Sequence, residues 1–339
     1  MNEVRVTSVA AARRDTRARN LTRVAAAAAT RFLGEPALTL RPLRLVENGV
    51  FEIETAAHNR FALRVHRHGF RRKKQIESEL AFMGHLASRG TRTPQPVAGL
   101  GGHFVQTVWD DDAGVEQLCS MMAWIDGVQL DDLPPEVGLP MLGEAMAKTH
   151  DGAQSFRPPA EFDRLTWDVA GLVGPDAVLG DYRKVLMSTS ERELFDRAAE
   201  SIASAAIHYG TGADRFGLIH GDWLENNAMH NELGCHVIDF DDCGWGWFVF
   251  DMVTSAYRGK YVFDDPVWAD LLLSGYRRHR RIDDGDLELV PYFLAARTLA
   301  LVGWLAARPD HGARRRHRCI DSAVQHCRLL TGDTAPRGW

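Results

Sequence analysis

Gly217-Leu218-Ile219-His220-Gly221-Asp222-Trp223-Leu224-Glu225-Asn226-Asn227, followed after a turn at 231–234 by His236-Val237-Ile238-Asp239-Phe240-Asp241-Asp242, is the stretch that decides the fold. Two short apolar runs each lead into acidic residues, with an asparagine between them. If the two runs pair as a hairpin, Asp222, Asn227 and Asp239 converge at one end of the strands. Such a cluster has a clear chemical use. One carboxylate orients and deprotonates a hydroxyl, while the Asn carbonyl oxygen and a second carboxylate hold Mg²⁺ against the phosphates of a nucleotide. Hard oxygen ligands suit Mg²⁺ rather than zinc. A rival reading takes His220, Asp222, His236, Asp239 and Asp241 as ligands in a metal-dependent hydrolase, and it requires tight transition-metal binding with no nucleotide affinity.

Upstream of this block the pattern is extended. From about Leu38, the residues Leu43, Leu45, Val50, Phe51 and Ile53, then Phe61, Leu63 and Val65, alternate with period 2 around the polar turn Ala57-His58-Asn59-Arg60, which predicts an antiparallel hairpin. Helical spacing over 77–86 puts Leu80, Met83 and Leu86 on one face. Thr93-Pro94-Gln95-Pro96 ends that pattern, and 102–108 and 116–124 read as two more strands. The first third is therefore a small sheet with one helix inserted after its third strand. After Ile125-Asp126-Gly127 the chain turns mainly helical, with helices over 140–150 and 191–209 and at least two more beyond Asp265. The expected organisation is an arm and first helix over 1–35, a β-rich lobe over 36–121, a hinge at 122–127 and a helical lobe over 128–335.

Composition sets the bounds around this reading. At 339 residues the chain is comfortable for two lobes, and 45% hydrophobic with 25% charged residues is neither a disordered nor a membrane composition. Mean hydropathy is −0.24. A net charge of −5 and a pI near 6.3 remove the usual electrostatic reason to expect nucleic acid as a partner. The five cysteines, Cys119, Cys235, Cys243, Cys319 and Cys327, form no C-x-x-C pair, which reads as a reducing, cytoplasmic setting. No uninterrupted run of about 18 apolar residues is present, so no membrane span is expected. The scattered arginines before the alanines at 25–29 read as a frayed arm leading into an Ala-rich helix, since Glu3 and Asp15 break the character of a targeting peptide.

The pattern H-G-D-x-x-x-x-N followed by I-D-F-D-D resembles the catalytic and metal-binding loops of the aminoglycoside phosphotransferase family, a branch of the protein-kinase-like fold that includes choline, homoserine and hydroxylysine kinases. Within it the chain looks most like bacterial phosphotransferases similar to the stress-response Ser/Thr kinase. The resemblance extends along nearly the whole chain. It implies an α+β, two-lobed fold, with ATP and Mg²⁺ as cofactors and a hydroxyl-bearing acceptor that is a small molecule or a protein Ser/Thr. Glu47-Asn48-Gly49-Val50-Phe51 is similar to the family's nucleotide-covering turn. Phe61-Ala62-Leu63-Arg64-Val65 is similar to its third strand, and Ser78-Glu79-Leu80 to the helix whose Glu pairs with that strand. Met122-Ala123-Trp124 resembles the hinge beside the adenine. The resemblance makes Asp222 the catalytic base and His220 a residue that holds the catalytic loop by hydrogen bonds. It makes Asn227 and Asp239 the Mg²⁺ ligands and Asp251 the buttress of the loop. In one place the chain departs from the family: Arg64 stands where a Lys commonly holds the phosphates. A guanidinium binds phosphate as a fork, so nucleotide binding survives the change. The same departure motivates a further rival, a nucleotide-binding module without turnover.

Substrate contacts are the least legible part. Phe293, Arg297, Leu301, Trp304 and Arg308 recur at spacings of four, four, three and four, which predicts one stripe on a helix over about 289–308. Arg297 on that apolar face must find an anion, either an internal carboxylate such as Asp242 or Asp251, or an acidic group of the acceptor. Asp242, Arg297 and Trp304 are accordingly the candidate acceptor residues. The acidic residues Asp126, Asp131 and Asp132 would suit an acceptor carrying an amine.

Overall fold

A computed structural model describes residues 2–306, 308 and 313–332, and the chain divides into two units. Of the expected segments 1–35 and 128–335, residues 1, 307, 309–312 and 333–335 lie outside the described residues.

The first unit takes in the chain up to Ser88 together with Thr93–Asp126 and Pro158–Asp163. Its elements are α1 (Asn2–Leu33), β1 (Thr39–Leu45), β2 (Gly49–Glu54), β3 (Arg60–Val65), α2 (Lys73–Ser88), β4 (Pro96–Val97), β5 (Val105–Asp110) and β6 (Val115–Ala123). The strands form an antiparallel sheet in the order β1-β2-β3-β6-β4, with β5 also paired to β6. The register sets Phe51 opposite Leu63, Leu63 opposite Met121, and Val65 opposite Cys119. Period 2 therefore collects Phe51, Ile53, Leu63, Val65, Cys119 and Met121 on one face, all fully buried. α1 packs in the same core through Leu21, Val24, Ala25, Ala28, Ala29 and Phe32. That 3-4 spacing is a helical stripe, and its alanines let the helix backbone approach the sheet closely. The stretch read as a frayed arm is thus continuous with a helix that begins at Asn2.

The second unit comprises Arg89–Arg92, Gly127–Arg157 and the chain from Arg164 onward. In order it contains β7 (Val128–Gln129), α3 (Pro135–Ser155), β8 (Leu165–Trp167), α4 (Val169–Val173), α5 (Thr189–Tyr209), β9 (Phe216–Ile219), β10 (Ala228–Asn231), β11 (Gly234–Val237), β12 (Gly244–Trp247), α6 (Phe248–Val253), β13 (Ala256–Tyr257), β14 (Lys260–Tyr261), α7 (Pro266–Tyr276), α8 (Asp284–Leu287), α9 (Val290–Ala306) and α10 (Ala313–Thr331). Local signals start several helices. Ser188 and Glu191 form a capping box on α5, and Asp265 caps α7 with Pro266 in its first turn.

α9 is apolar all round, and 12 of its 17 residues are buried, which makes it a core helix rather than an amphipathic surface helix. At Gly303 an added Cβ would lie 1.8 Å from the Gly180 carbonyl oxygen, so only glycine allows this close approach. The stretch Asp284–Ala306 is long and apolar enough to cross a membrane by length and composition alone, although Arg297 interrupts its apolar run. Its most apolar window is 67% buried inside the unit, as suits a core helix. The predicted five-residue stripe is shortened, because α9 ends at Ala306 and Arg308 lies beyond it.

Candidate active site

The loop that follows β9 is held from below by one carboxylate. Asp251, on α6 and fully buried, accepts from the His220 N–H (3.0 Å), the Gly221 N–H (2.7 Å), the Trp223 indole N–H (2.6 Å) and His150 Nε2 (2.9 Å). Burial alone would raise its pKa, but the hydrogen bonds and charge from His150 and His220 outweigh that and hold it below the usual carboxylate range. Burial drives the His150 imidazole below its ordinary value, against the opposing pull of Asp251. The Tyr276 hydroxyl lies 2.9 Å from His150 Nδ1. Because β12 pairs antiparallel with β9 and leads directly into α6, the sheet register delivers Asp251 beneath residues 220–223.

The loop itself is tightly specified. Gly221 has φ +82°, and an added Cβ would meet the Asp242 carbonyl oxygen at 2.6 Å. His220 is fully buried, with Nε2 2.9 Å from the Ile238 carbonyl oxygen and Nδ1 3.3 Å from the Asp222 N–H. Both ring nitrogens are thus engaged by backbone.

The expected pairing of the two apolar runs is replaced by a different one. β9 pairs with β12, and the hairpin is β10–β11, with Ala228 opposite Val237 and Asn231 opposite Gly234. The outcome for the cluster is similar, because the base of this hairpin joins Asn227 to the residue before Asp239: the Ile238 N–H donates to the Asn227 carbonyl at 2.9 Å. Asn227 Nδ2 donates to the Asp222 carbonyl oxygen (3.0 Å) and to Asp222 Oδ2 (3.2 Å). That orientation leaves Asn227 Oδ1 without a donor among the described residues. Asp239 has φ +64°, a left-handed conformation that costs a non-glycine residue roughly 1 kcal/mol. Such strain concentrates at working sites.

Arg297 meets neither of the carboxylates expected for it. Its side chain is 4% exposed and donates to Asp222 Oδ1 at 2.5 Å, with a longer contact of 3.5 Å to the Gly221 carbonyl. Burial works against the charge of Arg297, and Asp222, with Tyr261 and Asp242, more than compensates and raises its pKa. Asp222, 21% exposed, therefore has Oδ1 fixed by a buried cation and Oδ2 by an amide. Trp304 lies two turns further along α9, roughly 10 Å by helical rise, under the guanidinium groups of Arg308 and Arg315.

Two residues that sequence reasoning missed hold the acidic loop. Arg164, 7% exposed, donates to the carbonyls of Cys243 (2.8 Å), Phe240 (3.2 Å) and Asp241 (2.6 Å). The Trp167 indole donates to the Asp242 carbonyl at 2.9 Å. Both act on backbone more than seventy positions away, so no local pattern marks them. Among the described residues no group of three or more His, Cys, Asp or Glu is placed to hold a metal. That removes the hydrolase ligand set: His220 faces Ile238, and His236 Nε2 lies 3.0 Å from Asn231 Oδ1. The side-chain oxygens of Asn227 and Asp239 are instead hard donors, of the kind that could hold a hard divalent cation.

In the β-rich unit, Arg64 pairs with Glu79 at 3.2 Å, their side chains 12% and 1% exposed. Asn48 Oδ1 accepts the Arg67 N–H at 2.9 Å, tying the β1–β2 turn to the end of β3. Met122 is buried on β6. The Trp124 indole donates to Asp126 at 2.9 Å while Arg60 lies 4.3 Å above its ring. Lys73 and Lys74 are on the surface beside Glu77 and Glu161, so neither replaces Arg64.

The profile of the phosphotransferase enzyme family matches residues 39–287. A functionally uncharacterised protein of Deinococcus radiodurans is 32% identical over 287 residues, 81% of this chain and 79% of its own. The amicoumacin kinase of Bacillus subtilis is 25% identical, covering 70% of this chain and 71% of its own. A homoserine kinase of Afipia carboxidovorans is 28% identical, covering 70% and 72%. Among solved structures, a microcompartment-associated aminopropanol kinase superposes with a TM-score of 0.78 at 29% identity, covering 91% of this chain and 96% of its own. An amicoumacin kinase in complex with AMP-PNP, Ca²⁺ and Ami shares the fold, with a TM-score of 0.72 at 18% identity over 91% and 92% of the two chains.

Proposed function

Because this chain belongs to the phosphotransferase enzyme family, we propose that it moves the γ-phosphoryl group of ATP, with Mg²⁺, onto a hydroxyl of a small amine-bearing molecule, with Asp222 as the base. The observation that carries this reading is the fixing of both Asp222 oxygens, Oδ1 by Arg297 and Oδ2 by Asn227, on a loop whose backbone is pinned by Asp251. A carboxylate held in this way orients an incoming hydroxyl and accepts its proton as the phosphorus–oxygen bond forms. His220 positions the loop and takes no proton from the acceptor, since both its nitrogens are committed. Asn227 Oδ1 and the Asp239 carboxylate would hold the Mg²⁺, which when bound neutralises charge on the phosphates.

In the β-rich unit the same reading assigns nucleotide contacts to Asn48, Arg64, Glu79, Met122 and Trp124, with Glu79 aiming the Arg64 fork. Arg64→Ala is expected to cost roughly 2–4 kcal/mol in kcat/KM, the scale of a lost charged contact at the transition state, with Arg64→Lys partly active. Normal steady-state kinetics for Arg64→Ala would remove the residue from the nucleotide site.

The amine is supported by an excess of acceptors beside the loop. Asp131 Oδ1, Glu225 Oε2 and Asn226 Oδ1 are buried without a hydrogen-bond donor among the described residues. Burial raises the Glu225 pKa, and the nearby Asp131 raises it further. An ammonium would satisfy such a group. Arg297, by contrast, is committed to Asp222, so it gives no reason to expect a carboxylate on the acceptor. The aminopropanol, amicoumacin and homoserine kinases among the relatives fit an acceptor class of amino alcohols and their derivatives.

The metal assignment has its own test. Calorimetric titration should show Mg·ATP binding weakened at least tenfold in Asp239→Ala, while ATP without Mg²⁺ binds both proteins alike. Equal Mg·ATP affinities would exclude Asp239 as a ligand.

A further inference from the structure

A cavity of about 230 Å³ opens in the helical unit among residues 90–92, one face of α3 and the β10–β11 turn, and no residue given a role above lines it. Its charge is unbalanced. Glu144 is the one carboxylate among its lining residues, and it is already bonded to Lys148 (2.7 Å) and to Arg278 (3.2 Å), with His279 at 3.4 Å. Lys148 first and Arg278 after it hold the Glu144 carboxyl below its ordinary value. Arg92 also lines the cavity, and its guanidinium makes no hydrogen bond or ion pair with the described residues. Thr91, 4% exposed, presents a buried Oγ1 that has no hydrogen-bond partner among the described residues. An unpaired buried hydroxyl is costly unless something binds it. Cys235 adds no negative charge, since burial pushes its thiol up to about 12. Met141, Ala145 and the 66% exposed Leu233 supply apolar wall.

We propose that this cavity is a second ligand site that takes a small metabolite with an oxyanion head. Arg92 and the Thr91 hydroxyl bind the head, and the body lies against Met141 and Leu233. The volume falls below the roughly 300–1,000 Å³ usual for drug-sized ligands, which restricts the occupant to a small molecule. A carboxylate and a phosphate share the required chemistry. The site lies at the turn of the hairpin whose opposite end carries Asn227, four residues of strand or roughly 13 Å away. It does not depend on the identity of the phosphoryl acceptor.

The full-length protein labelled with ¹³C-methyl methionine reports on the cavity through Met141, assigned by its disappearance in Met141→Leu. Inorganic phosphate and acetate are titrated in separate arms, with chloride at matched ionic strength as the control. The expected result is a saturable shift of the Met141 methyl with at least one of the two oxyanions. That arm shows which head the site prefers. Arg92→Ala should weaken the response at least tenfold and Thr91→Val several-fold. Arg92 is exposed and Thr91→Val keeps the side-chain shape, so both variants are expected to fold. The proposal is overturned if neither oxyanion gives a saturable shift, if chloride gives the same one, or if Arg92→Ala responds like the unaltered protein.

Discussion

Asp222→Asn is expected to lower kcat by roughly 10²–10⁴-fold while changing Mg·ATP affinity by less than about tenfold. The asparagine keeps the shape of the side chain and its contact with Asn227, but it cannot take up the acceptor proton. The nucleotide loses nothing directly, because the base acts on the acceptor. A secondary cost is built into the site. Arg297 is 4% exposed, and with a neutral residue opposite it becomes a buried cation without its counterion. The variant should therefore also melt at a lower temperature, and kinetics are best taken in single turnover well below the transition. A variant whose single-turnover rate stays within a factor of about three of wild type would remove Asp222 from the chemistry.

Arg297→Met is expected to reduce kcat by about 10- to 100-fold with little change in acceptor KM, and to lower stability by roughly 1–3 kcal/mol. Breaking a buried ion pair costs about 3–5 kcal/mol when the surviving charge stays buried. Here the survivor is Asp222, 21% exposed, so water takes up part of that penalty. The rate effect has a different origin. Without the 2.5 Å contact, Oδ1 is free to rotate, and the carboxylate spends less time aimed at the acceptor hydroxyl. Arg297→Lys should recover part of the rate, since an ammonium restores the charge without the fork. A rise in acceptor KM at unchanged kcat would instead make Arg297 a substrate contact.

What the sequence made legible was local. The H-G-D-x-x-x-x-N block, the I-D-F-D-D run and the period-2 strands around Phe51 and Leu63 all carry their meaning within a dozen residues, and each leads to the element or loop expected. The alanines at 25–29 had the right spacing for a buried stripe with Leu21, Val24 and Phe32, but the arginines before them obscured it. Long-range choices were out of reach. The partner of Arg297, Asp222, lies 75 positions away, and neither Asp242 nor Asp251, the two internal carboxylates expected for it, is the one it meets. Strand pairing failed for a related reason. The run ending at Ile219 and the one ending at Ile238 are both short and apolar, and only the packing of β12 beside β9 decides that they do not pair. Arg164 and Trp167 escaped notice because they bond to backbone carbonyls, which leave no mark on the residue types they touch.

The most direct test of the central claim is transfer of label from [γ-³²P]ATP to a panel of amino alcohols, hydroxy amino acids and aminoglycosides, run with and without Mg²⁺ on the wild type and Asp222→Asn. The account predicts a labelled phosphomonoester from at least one amine-bearing alcohol, formed by the wild type only with Mg²⁺ and reduced by two or more orders of magnitude in Asp222→Asn. Tight Mg·ATP binding with no labelled acceptor, or labelling that persists undiminished in Asp222→Asn, would contradict it.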